Sequence, residues 1–394
     1  MDRAEGDGVS AGLRREGRKP AADGGMMDAV RVAYTLEQCW HAIPGGTGVA
    51  ALEVARELVA RSATSGIGLI GVAGSHAAAP AEAWTPPVEV RYLSGSGPSL
   101  YARWLWANRP VVETATGPVD VVHATSIIPC PSRAPLVVTI HDLAFLHEPD
   151  HFSRWGTTVF RRSLKVIRRR GALVLCSSQA TMDDCEHAGI GRDRLRLVPL
   201  GARVVEPTDS ERDQARALVE SRIGDGEYLV FVGTLEPRKN LARLIEAVAM
   251  AEPKLPLVVI GPSGWGETVA PVAGRVEFVG HLPEGVRNAV VASAAALCYP
   301  SLREGFGLPV VEGMALGTPV VTSRGTATEE TAGGAAVLVE PTDVNDIARG
   351  ISDALGRRAE LRTLGLARAA QLTWANTARL TVDAYRDARS EGPR

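Results

Sequence analysis

Two glutamates, Glu304 and Glu312, bracket a glycine-containing turn in YPSLREGFGLPVVEGMALGTPVV. The apolar run before it predicts a strand ending at Pro300. Pro309 predicts a helix opening at Leu308–Pro309, because a first-turn N–H is not needed for helical hydrogen bonding. The loop Glu304, Gly305, Phe306, Gly307 then leads backbone amides into a helix N-terminus, a setting that suits phosphate. Two acids there disfavour an anion unless they accept hydrogen bonds from hydroxyls. A ribose diol and a sugar ring supply such hydroxyls. The plain alternative is a pair of solvated surface acids.

A second constellation is FVGTLEPRKNLARLIEAVAM. A strand ends at Gly233, a short loop carries Arg238 and Lys239, and Asn240 is placed to cap a helix with Leu241, Leu244, Ile245 and Val248 on its apolar face. Two cations at a helix start oppose its dipole, which a bound diphosphate would relieve; a basic surface turn is the other reading. His141 and Asp142 close the strand VVTIHD, at the end where parallel sheets hold ligands. His147, Glu148 and His151 lack the companion ligands of a zinc site. Gly45, Gly46 and Gly48 precede a helix and make either a phosphate cradle or a tight turn. Gly66, Gly68 and Gly71 spell GxGxxG inside a strand with no helix behind it, so the dinucleotide reading fails.

The stretch from Tyr299 resembles the retaining GT-B glycosyltransferases of the group 1 type (glycosyltransferase family 4), whose Glu-x7-Glu pair sits in an EGFGLP…E.MA.G.PVV setting. Here the pair is Glu304 and Glu312, Gly313 stands where many members have Ala, and the likeness continues to Glu330 in ATEETAGGAAVLVEP. It spans about Val30 to Tyr385 and is strongest over Phe231–Pro341. The resemblance implies two Rossmann-like parallel-sheet α/β domains facing across a cleft. It implies transfer, with retention, of a hexose from a GDP-mannose or UDP-glucose type donor to a glycan or lipid-linked acceptor, with neither metal nor cofactor. Arg238 and Lys239 become the diphosphate clamp, with Gly233, Thr234 and the loop Gly305, Phe306, Gly307, Leu308 lining it. Glu312 holds the ribose, Glu304 the sugar, Gly46 lies near the donor phosphate, and His141 faces the reacting centre. Val49 stands where many members carry Arg. No Asp-x-Asp occurs in the chain, in keeping with metal-independent transfer. With no evident nucleophile in the N-terminal half, a same-face displacement is expected. An epimerase or hydrolase using the same pocket, or a non-catalytic donor-binding protein, are the rivals.

These residues need elements to position them. At 394 residues, 45% hydrophobic, the chain suffices for two cores, and a net charge of -2 gives no pull toward nucleic acid. Seven Val/Ile/Leu-rich runs, beginning at Val30, Ile67, Val88, Val119, Pro135, Ala172 and Leu195, predict parallel strands covered on both faces. Six more begin at Tyr228, Pro256, Val276, Ala295, Thr318 and Ala335. The polar stretch from Glu206 divides the series. The expected units are a disordered tail over 1–27, an N-terminal acceptor domain over 28–205, a nucleotide-sugar domain over 206–372, and a closing helix over 373–394 packing back on the N-terminal domain. Met26 and Met27, just before the first strand, mark an alternative start. Five scattered cysteines without CxxC, no secretory signal and no spanning run fit a cytoplasmic protein. The segment Arg154–Arg170 holds seven cations and no acid. It reads as a sheet-covering helix with a basic face or as a contact to the inner face of a membrane.

Overall fold

A computed structural model describes residues 29–42, 44–149, 152–262 and 275–392. The expected disordered tail and His151 lie outside the described residues.

All thirteen predicted strands form. The first sheet contains β1 (Val30–Thr35), β2 (Ile67–Gly74), β3 (Val90–Leu93), β4 (Val121–Ala124), β5 (Leu136–Ile140), β6 (Leu173–Cys176) and β7 (Leu195–Leu197), in the order β3-β2-β1-β4-β5-β6-β7. The second contains β8 (Leu229–Val232), β9 (Leu257–Ile260), β10 (Val276–Gly280), β11 (Ala296–Tyr299), β12 (Val320–Ser323) and β13 (Val337–Val339), in the order β10-β9-β8-β11-β12-β13. Every ladder is parallel. Parallel strands must be joined by crossovers that cover both faces. The strands at the centre of each sheet are accordingly largely apolar and buried, as in Val121, Val122, Val137 and Val138. In each sheet the order reverses beside the first strand (β1 and β4, β8 and β11), which opens a crevice at the carboxyl ends.

The polar stretch from Glu206 is largely a helix, Asp209–Ile223, opened by a capping box between Thr208 and Glu211. The chain passes between the two sheets twice, and the passages touch: the Ala202 amide donates to the Leu372 carbonyl at 3.0 Å. The final helix, Trp374–Glu391, buries Trp374, Ala378 and Tyr385 and lies on β4, β5, β6 and helix Gly45–Ala60. The Tyr385 hydroxyl reaches His123 Nδ1 at 2.8 Å, and Arg196 pairs with Asp387. The final helix thus belongs physically to the first sheet.

Gly313 has a packing reason. Helix Leu308–Ala315 lies so close to β11 that a Cβ at Gly313 would meet Leu297 Cδ2 at 2.6 Å. Gly313→Ala is expected to cost about 1–3 kcal/mol through overpacking, despite alanine's better helix propensity. Urea unfolding measures it, and an unchanged midpoint would contradict the packing reason.

Candidate active site

The cationic turn sits at the carboxyl end of β8. Beyond Gly233, whose amide donates to the Ile260 carbonyl, and Thr234, the chain makes a 3-10 turn at Pro237–Lys239. Asn240 follows with φ +62 and does not cap the next helix, Leu241–Met250, contrary to the sequence expectation. Its left-handed backbone turns the side chain inward, where Nδ2 donates to the carbonyls of Pro300 and Pro341. Asn240 therefore ties the turn to the end of β11.

Lys239 is 7% exposed, and its Nζ bonds Glu304 Oε1 and the Tyr299 hydroxyl, both at 2.6 Å. Tyr299 and Ser301 donate to the same carboxylate oxygen at 2.9 and 2.8 Å. Arg238 reaches Glu304 Oε2 at 3.2 Å and Glu236 at 2.7 Å. The cations that the sequence left facing an absent anion thus have two carboxylates of the protein between them. Burial alone would raise the Glu304 carboxyl, but Lys239 and Arg238 overrule it and hold it at about 2. Burial lowers Lys239 despite Glu304, whereas the two carboxylates raise Arg238 against its own burial.

Glu312 stands apart from this network. It projects from the second turn of helix Leu308–Ala315 toward Arg287, 3.7 Å away, and burial raises its carboxyl. Gly307, with φ +93, starts that helix in the left-handed region. The Phe306 ring lies in the core and its carbonyl accepts from Thr331, so only the backbone around it is left for a ligand.

His141 follows β5 and comes from the opposite side. Its carbonyl accepts from Ser177 and Thr181 at 3.1 and 2.9 Å, and the same hydroxyls reach the Gly305 carbonyl at 2.9 and 3.4 Å. A Cβ on Gly305 would stand 1.9 Å from the His141 carbonyl oxygen. Glu330 crosses too, accepting from the Gln179 and Ala180 amides at the start of helix Gln179–His187 (2.7 and 2.8 Å). Sequence reading tied Glu330 to no contact, since its partners lie some 150 residues away. Leu308 faces Gly46 across the same gap, where a Cβ would meet it at 3.5 Å. The glycines at 45, 46 and 48 are the first turn of helix Gly45–Ala60 rather than a loop before it.

Among the described residues His141 Nε2 is buried without a hydrogen-bond partner, and burial lowers this imidazole to about 4 in spite of Asp142. Asp142 lines the cleft beside it and accepts from the Ala144 amide at 3.1 Å. The sequence placed Asp142 beside His141 at this strand end while offering no evident nucleophile on this side. His147 pairs with Asp184 at 2.8 Å, and Asp184 also meets Arg303.

A neutral imidazole has a consequence for pH. Burial lowers His123, held between Tyr385 and Thr139, to about 3 against 6.5 for a free imidazole. Below 6.5 the unfolded chain therefore binds protons that the folded chain refuses at His123 and His141. Stability is expected to fall as pH drops from 6.5 toward 4, and His123→Gln to flatten that slope. A melting temperature flat across this window would contradict the buried neutral pair.

Family comparisons agree with this architecture. The profile described as "Glycosyl transferases group 1" matches residues 226–357, and that of "Glycosyltransferase Family 4" matches 44–204. The MMP alpha-(1->4)-mannosyltransferase of Mycolicibacterium hassiacum is 30% identical over 304 residues, 69% of this chain and 71% of that protein. The chain belongs to the group 1 glycosyltransferases. O-antigen chain mannosyltransferase B of Escherichia coli is 28% identical over 270 residues, covering 64% of this chain and 70% of that one. Among solved structures, Anabaena HepE in complex with UDP and glucose superposes with a TM-score of 0.68 at 19% identity, over 91% of this chain and 100% of that one. That likeness shows the fold: two parallel-sheet domains in the GT-B arrangement. This glycosyltransferase thus places its Arg238–Lys239–Glu304 cluster and His141 on the two walls of a GT-B cleft.

Proposed function

We propose that this glycosyltransferase moves a hexose, with retention and without a metal, from a nucleoside-diphosphate sugar of the GDP-mannose or UDP-glucose type to a glycan or lipid-linked acceptor. The observation that carries the reading is the buried Lys239–Glu304–Arg238 cluster, on whose loop at Gly305 the His141 turn closes from the other wall. A diphosphate brings more negative charge than the single Glu304 carboxylate, so it competes for both cations. Glu304 is then released to accept from the sugar's hydroxyls, and Glu312 takes the ribose. Lys239, Arg238 and the amides at Leu308 stabilise the charge that builds on the departing diphosphate. His141, neutral at pH 7, faces the sugar from the other wall. In a same-face displacement the leaving phosphate itself takes the acceptor's proton, leaving Asp142 to order the His141 turn.

The mannosyltransferase relatives favour mannose over glucose. We place the enzyme in the cytoplasm, meeting the inner face of a membrane through helix Arg154–Arg169. Arg154, Arg161, Lys165, Arg168 and Arg169 on it are exposed, and Trp155 stacks on Trp106 at 5.5 Å. Arg162 and Arg170 instead bond backbone carbonyls. Among the described residues no helix is long and apolar enough to cross a membrane.

A panel of nucleoside-diphosphate sugars tests the reading by thermal shift, since a ligand that binds only the folded state raises its melting temperature. One donor is expected to stand out, and Arg238→Ala with Lys239→Ala to abolish its shift. A shift that survives both substitutions would contradict the clamp.

A further inference from the structure

The N-terminal wall holds a cavity of about 610 Å³ that runs from His141 and Asp142 toward helix Arg154–Arg169. Its far end is aromatic. Phe145, Phe152 and Phe160 form a triangle with ring centroids 5.2 to 6.4 Å apart, and Val159 and Trp155 complete it. Phe145 and Val159 are 2% and 3% exposed, whereas Trp155 is 49% exposed at the rim.

Charge and hydrogen bonding say what such a chamber takes. Among the described lining residues Asp142 alone carries a formal charge, and burial lowers His41 and His141, which keeps both neutral near pH 7. Nearer His141, Gln38 Nε2 donates to Thr125, His41 Nε2 meets the Tyr101 hydroxyl and Asp142 accepts from Ala144, whereas at the far end Phe145, Phe152, Val159 and Phe160 offer no polar side-chain atom. A glycan buried there would leave its hydroxyls without partners, at a cost that an alkyl chain does not incur. Outside the chamber the same helix shows a cationic face with no acid between Ser153 and Gly171, which suits an acceptor whose apolar part is joined to an anionic group.

We infer that the acceptor is an amphiphile whose hydroxyl-bearing head lies at His141 and whose alkyl or isoprenoid aglycone fills the Phe145/Phe152/Phe160 chamber. This inference rests on the glycosyltransferase reading for the role of the head and on the cavity alone for the tail. Each methylene moved from water into such a chamber strengthens binding several-fold, less what is lost in ordering the chain.

The test is calorimetric titration with methyl and octyl α-mannoside, the latter below its micelle concentration. Octyl mannoside is expected to bind on the order of 100-fold more tightly. Gly156→Leu, which adds bulk at a half-buried lining position in the first turn of the helix, and Phe152→Asp, which puts a charge there, are each expected to erase that preference while the donor's thermal shift persists. The persisting shift also shows that the variants fold. Equal affinity for the two mannosides, or an octyl preference indifferent to both substitutions, would overturn the inference. Loss of the donor shift in the unaltered protein would instead strike the transferase reading, leaving the octyl preference to report on the chamber by itself.

Discussion

Lys239→Ala is expected to lower kcat by about 10²–10³, the loss typical of removing one preorganised group that stabilises transition-state charge. It removes the cation that meets both Glu304 and Tyr299 at 2.6 Å. Stability is expected to fall too, because Glu304, with its side chain 8% exposed, keeps Arg238 at 3.2 Å as its one charged partner beside the Tyr299 and Ser301 hydroxyls. Breaking a buried pair from one side costs about 3–5 kcal/mol, and the surviving Arg238 contact places this case near the lower end. The double variant Lys239→Met with Glu304→Gln separates the two effects. With no charge stranded, it is expected to regain most of the stability while staying inactive. A double variant as active as the unaltered enzyme would show that the cluster is structural only. Lys239→Arg is not expected to rescue transfer, since a forked guanidinium does not fit a compact ammonium site closed by Tyr299.

The second large effect is expected from a single methyl group. Gly305→Ala places a Cβ 1.9 Å from the His141 carbonyl oxygen and 3.1 Å from Asp142 Cβ. Backbone cannot give way there as a flexible side chain would, so the two walls must separate at their point of closest contact. The hydroxyls of Ser177 and Thr181, which serve both the His141 and Gly305 carbonyls, then lose one of their two acceptors. Near-attack geometry is steep in distance, so kcat is expected to drop about 100-fold or more for a displacement of about 1 Å. Donor affinity should change less, because Gly305 and the cationic turn lie in the same domain and keep their relation when the walls part. Steady-state kinetics beside the donor's thermal shift separates the two. A Gly305→Ala enzyme with normal kcat would mean that this contact is not part of the working cleft.

What the sequence disclosed and what it hid follow from range. The strands of both sheets are written locally in apolar runs such as VVTIHD and LVVI, and the doubly wound order follows from crossovers that parallel strands require. The cationic turn and the glycine loop are equally local. Hidden were contacts between distant segments. Glu304 accepts from Lys239 across 65 residues, so it stands as the counter-ion of the turn it was read as neighbouring. Tyr385 holds His123 across 262 residues. Asn240 looked like a cap because its type and position fit one, yet a left-handed backbone aims its amide at the carbonyls of Pro300 and Pro341, just past β11 and β13. Glu330 carried a motif but no partner until the domains came together.

Everything in the mechanism depends on one exchange: a diphosphate displaces Glu304 from Lys239 and Arg238 at the foot of the cleft. A structure of the enzyme with an intact nucleoside-diphosphate sugar tests it most directly. A phosphate oxygen is expected within about 3 Å of Lys239 Nζ, with the Glu304 carboxylate turned to sugar hydroxyls. A donor bound elsewhere, with the Lys239–Glu304 pair still closed at 2.6 Å, would contradict the account.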